Sequence, residues 1–124
     1  MRLETMVKTY RLSFTKVDRL LKRKSFLKLS QFGKKVVNKY FIAAFCPSET
    51  SKTRIGITVS KKVGNAVVRN NIKRKIREHF RLNRHRIQGD WDINIIAKKE
   101  ISSLKSKEVF FFVQNIFEKV SKIF

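Results

Sequence analysis

The chain has 124 residues, with 30 Lys and Arg against 9 Asp and Glu, a formal net charge of +21, and 42 % hydrophobic residues. That length favours one domain with one modest core, and such a charge surplus repels itself when compact, so a polyanionic partner is expected, nucleic acid first. Tyr40–Cys46, the longest uncharged apolar run, is far too short to span a bilayer, and no signal-peptide pattern opens the chain; the expectation is a cytoplasmic protein without a membrane partner.

Residues 1–18 are basic and weakly periodic and read as an N-terminal arm, with a folded domain over 19–124. Lys22–Gln31 predicts a short helix that stops before Gly33. Val36–Cys46, rich in β-branched and aromatic residues, reads as a strand, followed by a turn at Pro47, Ser48 and Ser51. Cys46 is the only cysteine, so an internal disulfide and a cysteine-based zinc site are excluded; in its apolar run it reads as buried filler. RIGITVS, Arg54–Ser60, is a second strand, and DINIIA, Asp92–Ala97, another after a break near Gly89. From Ser106 to Ile123 Val109, Val113, Ile116, Phe117 and Val120 recur at the helical period and Phe110, Phe111 and Phe112 widen the stripe, which reads as a core-packing helix. The order predicts a single α+β domain.

Between these strands lies GNAVVRNNIKRKIREHFR, Gly64–Arg81. Advancing about 100° per residue from Arg69 places Lys73, Arg77, Asn70, Arg81 and Arg74 within one arc of about 140°. Val68, Ile72, Ile76 and Phe80 share the adjoining arc. One face belongs in a core, the other is nearly all cation, and Gly64-Asn65 supplies a turn and an N-cap. Guanidinium binds phosphate through two parallel hydrogen bonds, so the stripe suits phosphate contacts. A merely solvated face would need acidic relief, yet residues 61–86 hold ten Lys and Arg against one carboxylate, Glu78.

SKKVGNAVVRNNIKRKIREHFR closely resembles the signature of the bacterial ribonuclease P protein family, the small protein subunit of the tRNA 5′-end processing ribozyme. The resemblance runs from Arg19 to about Phe117 and includes Arg19-Leu20, Phe26, Gly33, RIGITVSKK and IIAKK. It implies an α–β sandwich in the order helix, three strands, helix, strand, helix, with a left-handed β-α-β crossover around the basic helix. General handedness rules would give the opposite hand.

The resemblance also implies that a large RNA performs the cleavage with magnesium bound mainly by RNA and substrate. The protein holds the catalytic RNA and the 5′ leader of precursor tRNA, with no catalytic residue of its own and no small-molecule substrate. The RNA-contacting residues it implies are Lys61, Lys62, Arg69, Asn70, Lys73, Arg74, Arg77 and Arg81. Asn71 departs from the family's usual Arg-Asn-Arg; at about 200° on the wheel, its loss of phosphate contact is expected to be modest.

A leader cleft is implied between the first helix and the sheet, where a base can stack on Phe26. Two positions often aromatic in relatives are Ser30 and Ala44 here. Phe32 is about 240° around the helix from Phe26. Tyr40 shares a strand face with Ala44 but lies about 13 Å from it; the cleft residues are therefore Phe26 and Tyr40. A protein-only nuclease would draw on Asp90 and Asp92, or on Glu78-His79, although Asp90-Trp91-Asp92 reads more simply as a turn. His79 and His85, lying among cations, are expected to meet RNA or solvent. A general RNA-binding or ribosomal-type protein is the better rival, since charge alone fits it. Helix-turn-helix DNA binding fits less well, because strands flank the basic helix.

Overall fold

The computed structural model describes residues 18–20 and 22–122. The predicted arm lies outside the described residues except for Asp18. The elements are α1 (Arg23–Phe32), β1 (Lys34–Val37), β2 (Phe41–Pro47), β3 (Arg54–Thr58), α2 (Ala66–Asn83), β4 (Trp91–Ala97) and α3 (Ser106–Lys122). Short 3-10 turns occupy Arg84–Arg86 and Lys99–Ser103. The expected order of helix, three strands, helix, strand, helix is the order observed. No helix among the described residues is long and apolar enough to cross a membrane.

The run expected as one strand, Val36–Cys46, is instead a hairpin. Asn38 turns the chain: its Oδ1 accepts the N–H groups of Tyr40 and Phe41, and its own N–H donates to the Phe41 carbonyl at 2.9 Å. Asparagine satisfies a turn through its side chain in this way. The same side chain donates to the Phe112 carbonyl and to Asn115 Oδ1, and Lys98 Nζ caps the Asn38 carbonyl at 2.7 Å. Without glycine or proline to mark it, the turn has Asn38 alone as its local signal in the sequence. One residue thus fixes the hairpin against both β4 and α3.

The sheet order is β1-β2-β4-β3, antiparallel except for the parallel pair β3–β4, which α2 connects. Alternation along the strands sorts two faces. Phe41, Ala43, Phe45, Ile93, Ile95 and Ala97 meet Ile72, Ile76 and Phe80 of α2 and Val109, Val113, Ile116, Phe117 and Val120 of α3 in the main core. The predicted core stripe of α3 is therefore the one observed. On the other face a smaller cluster, Leu20, Leu29 and Ala44 with Phe26 and Cys46 against it, seats α1. Gly33 ends α1 with its N–H on the Leu29 carbonyl at 3.0 Å; a side chain there would press on the Leu29 and Phe45 carbonyls. The break near Gly89 is a positive-φ turn, φ 82°, which glycine adopts without steric cost.

Two contacts tie distant segments to the end of α2. Arg84 Nη1 donates to Asp18 Oδ1 at 2.7 Å, and Asp18 is fully buried. The Arg84 guanidinium also lies over the Phe80 ring. Next to it, Leu20 N–H donates to the Ile55 carbonyl, so 18–20 lies along the outer edge of β3. His79, expected at RNA or solvent, packs instead between helices. Its ring stacks on Phe110 and Phe117 at 5.8 and 6.2 Å, and Nε2 lies 2.8 Å from Gln114 Oε1. The reason is its place on the wheel, at about 280° from Arg69 and so between Val68 and Ile72 on the apolar arc, where it faces α3. Phe112 meets the Tyr40 ring edge-on, so of the three adjacent phenylalanines only Phe111 is exposed.

Two predictions follow from these contacts. Asp18→Ala leaves the Arg84 cation inside without its carboxylate and should lower unfolding stability by on the order of 3 kcal/mol, measured by urea denaturation; an unchanged midpoint would show that the tether carries no weight. Burial, and secondarily the Arg86 charge, hold the His79 pKa below the ordinary histidine value, against the opposing Gln114 bond. The unfolded chain then binds that proton more tightly, so the His79 contribution is complete above the unfolded pKa of ~6.5 and is lost as pH falls below it. Between about pH 7 and about pH 5 the melting temperature should fall less in His79→Gln than in the parent; parallel profiles would refute the assignment.

Candidate RNA interface

The basic helix begins as its sequence requires. Asn65 is the N-cap, and its Oδ1 accepts the Val68 N–H at 3.0 Å. Gly64 lies so close to the Val68 side chain that a Cβ there would crowd it. Ile72, Ile76 and Phe80 are buried and Val68 half-buried, so the predicted apolar edge is the packed one. Arg69 donates to the Gly64 carbonyl at 2.9 Å, which draws its guanidinium towards the preceding turn. Asn70 and Arg74 are exposed, and Lys73, Arg77 and Arg81 are half-buried. Lys61 and Lys62 are exposed in the turn that enters the helix. All eight predicted residues therefore stand on α2 or at its entrance.

Within the stripe, two cations have side-chain partners of different kinds. Arg81 pairs with Glu78 three residues earlier, which partly neutralises the C-terminal end. Arg74 donates to Asn71 Oδ1 at 2.7 Å, a neutral partner that orients the guanidinium and leaves its charge intact. Asn71 thus has a role on the helix that the residue-type comparison alone did not suggest.

Arg77 connects the stripe to the other side of the sheet. With Arg19, Leu20, Phe26 and Gly56 it lines a hollow of about 140 Å³ at the outer edge of β3. Burial, and then the neighbouring Arg19 charge, push the Arg77 guanidinium below its ordinary pKa, since both disfavour its charged form. The half-buried Phe26 ring lies directly over Gly56, where any Cβ would collide with it. The glycine in RIGITVS therefore makes room for the Phe26 ring. Arg19 was visible in the sequence only as part of a motif; its position beside Arg77 depends on pairing along β3 and carries no local signal.

One expectation about the cleft is corrected. Tyr40 does not share the face of Ala44. It lies outside β2 in the bend set by Asn38, packs against the main core, and meets the Phe112 ring at 4.5 Å. That is the α3 side of the sheet, whereas Phe26 is on the α1 side; a bend breaks the strand alternation on which the expectation rested. Ala44 is buried in the small cluster beneath α1. Ser30 and Phe32 are exposed on α1.

The carboxylates considered for catalysis are separated. Arg54 holds Asp92 in a fork, Nε to Oδ1 at 2.9 Å and Nη2 to Oδ2 at 2.8 Å, while Asp90 is exposed and precedes β4. Glu78 is engaged by Arg81, and His85 is exposed. No group of three or more His, Cys, Asp or Glu side chains among the described residues could hold a metal ion. The Arg54–Asp92 pair was not foreseen; 38 residues separate the partners, and only the parallel register of β3 with β4 makes them neighbours.

Comparison with known proteins matches this geometry to one family. The family model for Ribonuclease P matches residues 14–121. A ribonuclease P protein component from Desulforapulum autotrophicum is 56 % identical over 108 residues, covering 87 % of this chain and 92 % of that protein. The solved RNase P protein of Staphylococcus aureus superposes with a TM-score of 0.73 at 37 % identity, over 86 % of this chain and 94 % of that one. That of Thermotoga maritima gives a TM-score of 0.76 at 33 % identity, over 82 % and 96 %. With its basic helix, its sheet order and nearly its whole length accounted for, the chain belongs to the ribonuclease P protein family.

Proposed function

We propose that this chain is the protein subunit of the tRNA-processing enzyme ribonuclease P, binding the catalytic RNA through α2 and the 5′ leader of precursor tRNA through the cleft at Phe26. The observation that carries the reading is the continuity of the cationic surface. It runs from Lys61 and Lys62 along Arg69, Lys73 and Arg74 to Arg77, where it reaches Arg19 and the Phe26 ring at the edge of β3. A strand of RNA lying on that course would exchange phosphate oxygens with guanidinium groups and set one base against an aromatic face. Because Ser30 and Ala44 supply no ring and Tyr40 lies across the sheet, Phe26 is the ring that provides stacking in this cleft among the described residues, and recognition of the leader tolerates different bases.

In this reading the RNA and substrate hold magnesium and carry out phosphodiester hydrolysis. The described residues offer no metal-holding group of their own, and Asp92 is committed to Arg54. The protein's part is to bind, orient and neutralise. Adding the chain to purified ribonuclease P RNA and precursor tRNA at low magnesium should stimulate cleavage at the mature 5′ end. A generic RNA-binding protein would leave that site uncut under the same conditions.

Three substitutions probe the surface, two on the basic stripe and one in the cleft. Arg74→Ala and Arg77→Ala should each weaken RNA binding and flatten its salt dependence by about one contact, roughly 0.7–0.9 log units of affinity per log unit of salt. An unchanged slope in both would reduce the stripe to solvated surface. Phe26→Leu retains most of the apolar volume but removes the ring, so precursor tRNA should lose ~1–3 kcal/mol of affinity while mature tRNA is spared. A sharp loss of thermal stability with a constant precursor-to-mature affinity ratio would make Phe26 a packing residue only.

A further inference from the structure

A second aromatic surface lies across the sheet from Phe26 and belongs to none of the contacts assigned above. Phe111 is 65 % exposed on α3. Its ring meets Phe112 edge-on at 5.1 Å, Phe112 meets Tyr40 edge-on at 4.5 Å, and Lys39 Nζ sits 5.4 Å from the centre of the Tyr40 ring. Three rings and a cation thus form one continuous step at the surface. Beneath them the Asn38 bonds to Phe112 and Asn115 fasten the hairpin to α3, so the rings are held by two elements at once.

The charges around this step are mainly positive. Lys107 lies one helical turn before Phe111 and on the same side of α3, and Lys119 reaches across to donate to the Val37 carbonyl. The two carboxylates of α3, Glu108 and Glu118, accept from neutral donors, the Lys105 backbone N–H and the Gln114 amide, and keep their charge; Lys39, Lys105, Lys107, Lys119 and Lys122 outnumber them on these segments. Exposed aromatic faces set among lysines are the chemistry that holds unpaired nucleic-acid strands, phosphates to the cations and bases to the rings. A second copy of the chain would instead bring another +21 of charge to the same place.

We propose that Phe111, with Phe112, Tyr40 and Lys39, forms a second contact for single-stranded RNA, in which an unpaired base stacks on the exposed Phe111 ring. The site is separate from α2 and requires only an RNA partner, so it stands or falls independently of the role assigned to the Phe26 cleft.

The experiment uses the full chain with two probes, a short oligouridylate and an abasic oligomer carrying the same number of phosphates, in raised salt to suppress binding by phosphates alone. Phe111→Leu should weaken the oligouridylate about fivefold or more and leave the abasic oligomer unchanged. Photocrosslinking of a 5-iodouridine version should label Phe111 or Tyr40. Because Phe111 is exposed, the variant's melting temperature should match the parent's. Equal loss on both probes, no loss on either, or crosslinks confined to Phe26 would overturn the proposal. So would sedimentation showing a self-associated form that disappears in Phe111→Leu, which would assign the rings to a second copy.

Discussion

Burial of one edge of α2 against the sheet is the interaction on which the rest of this molecule depends. Along the adjoining face Arg69, Lys73, Arg77 and Arg81 follow one another at four-residue intervals. Each of the three like-charge pairs costs about 0.2–0.5 kcal/mol, a total of about 0.6–1.5 kcal/mol. Against this, Ile72, Ile76 and Phe80 are each buried, and each is worth about 1.5–3 kcal/mol. Burial wins by several-fold. The helix can therefore carry a row of cations with Glu78 as its one acidic member, and the core holds that row rigidly at the surface.

The two sides of the sheet then differ because their covers differ. The α2–α3 side buries most of the large apolar side chains. Among the described residues the α1 side has Leu20, Leu29 and Ala44 buried, and β4 turns Asp92 and Asn94 to it. Those polar groups are satisfied within the sheet, Asp92 by Arg54 and Asn94 by the Thr58 hydroxyl at 3.1 Å, which keeps the cost of placing them under a helix low. A thinly covered, polar face next to a single aromatic ring is compatible with a groove for a charged strand. It would serve poorly as a core.

Connections across the edge of β3 bring these sides into register. Asp18–Arg84 ties the entering chain to the end of α2, and Leu20 pairs with Ile55. Arg19 is thereby carried to Arg77, and a cationic row on one layer continues to an aromatic ring on the other. On the opposite side of the molecule, Asn38 performs the comparable task, joining the β1–β2 hairpin to α3 through Phe112 and Asn115 and to the end of β4 through Lys98.

Elements defined by their own periodicity were legible in the amino-acid sequence alone. The apolar and basic faces of α2, its Asn65 cap, the Gly33 stop and the core stripe of α3 all follow from spacings within a few residues, where side-chain direction is set by backbone geometry. The family signature lies in the same local stretch. Features that join residues far apart along the chain were not legible. The Asn38 turn lacked the usual glycine or proline, so two strands read as one and Tyr40 was assigned to the wrong face. His79 was grouped with its cationic neighbours although its angle on the wheel lies within the apolar arc of α2; the two rings and the amide that enclose it come from α3, far along the chain. Arg54–Asp92, Asp18–Arg84 and the meeting of Arg77 with Arg19 and Phe26 exist only because strand register and helix packing bring them within reach. Local spacing determined which side chains each element presents; tertiary pairing, whose partners leave no mark on each other's neighbourhoods, decided which of those side chains share a site.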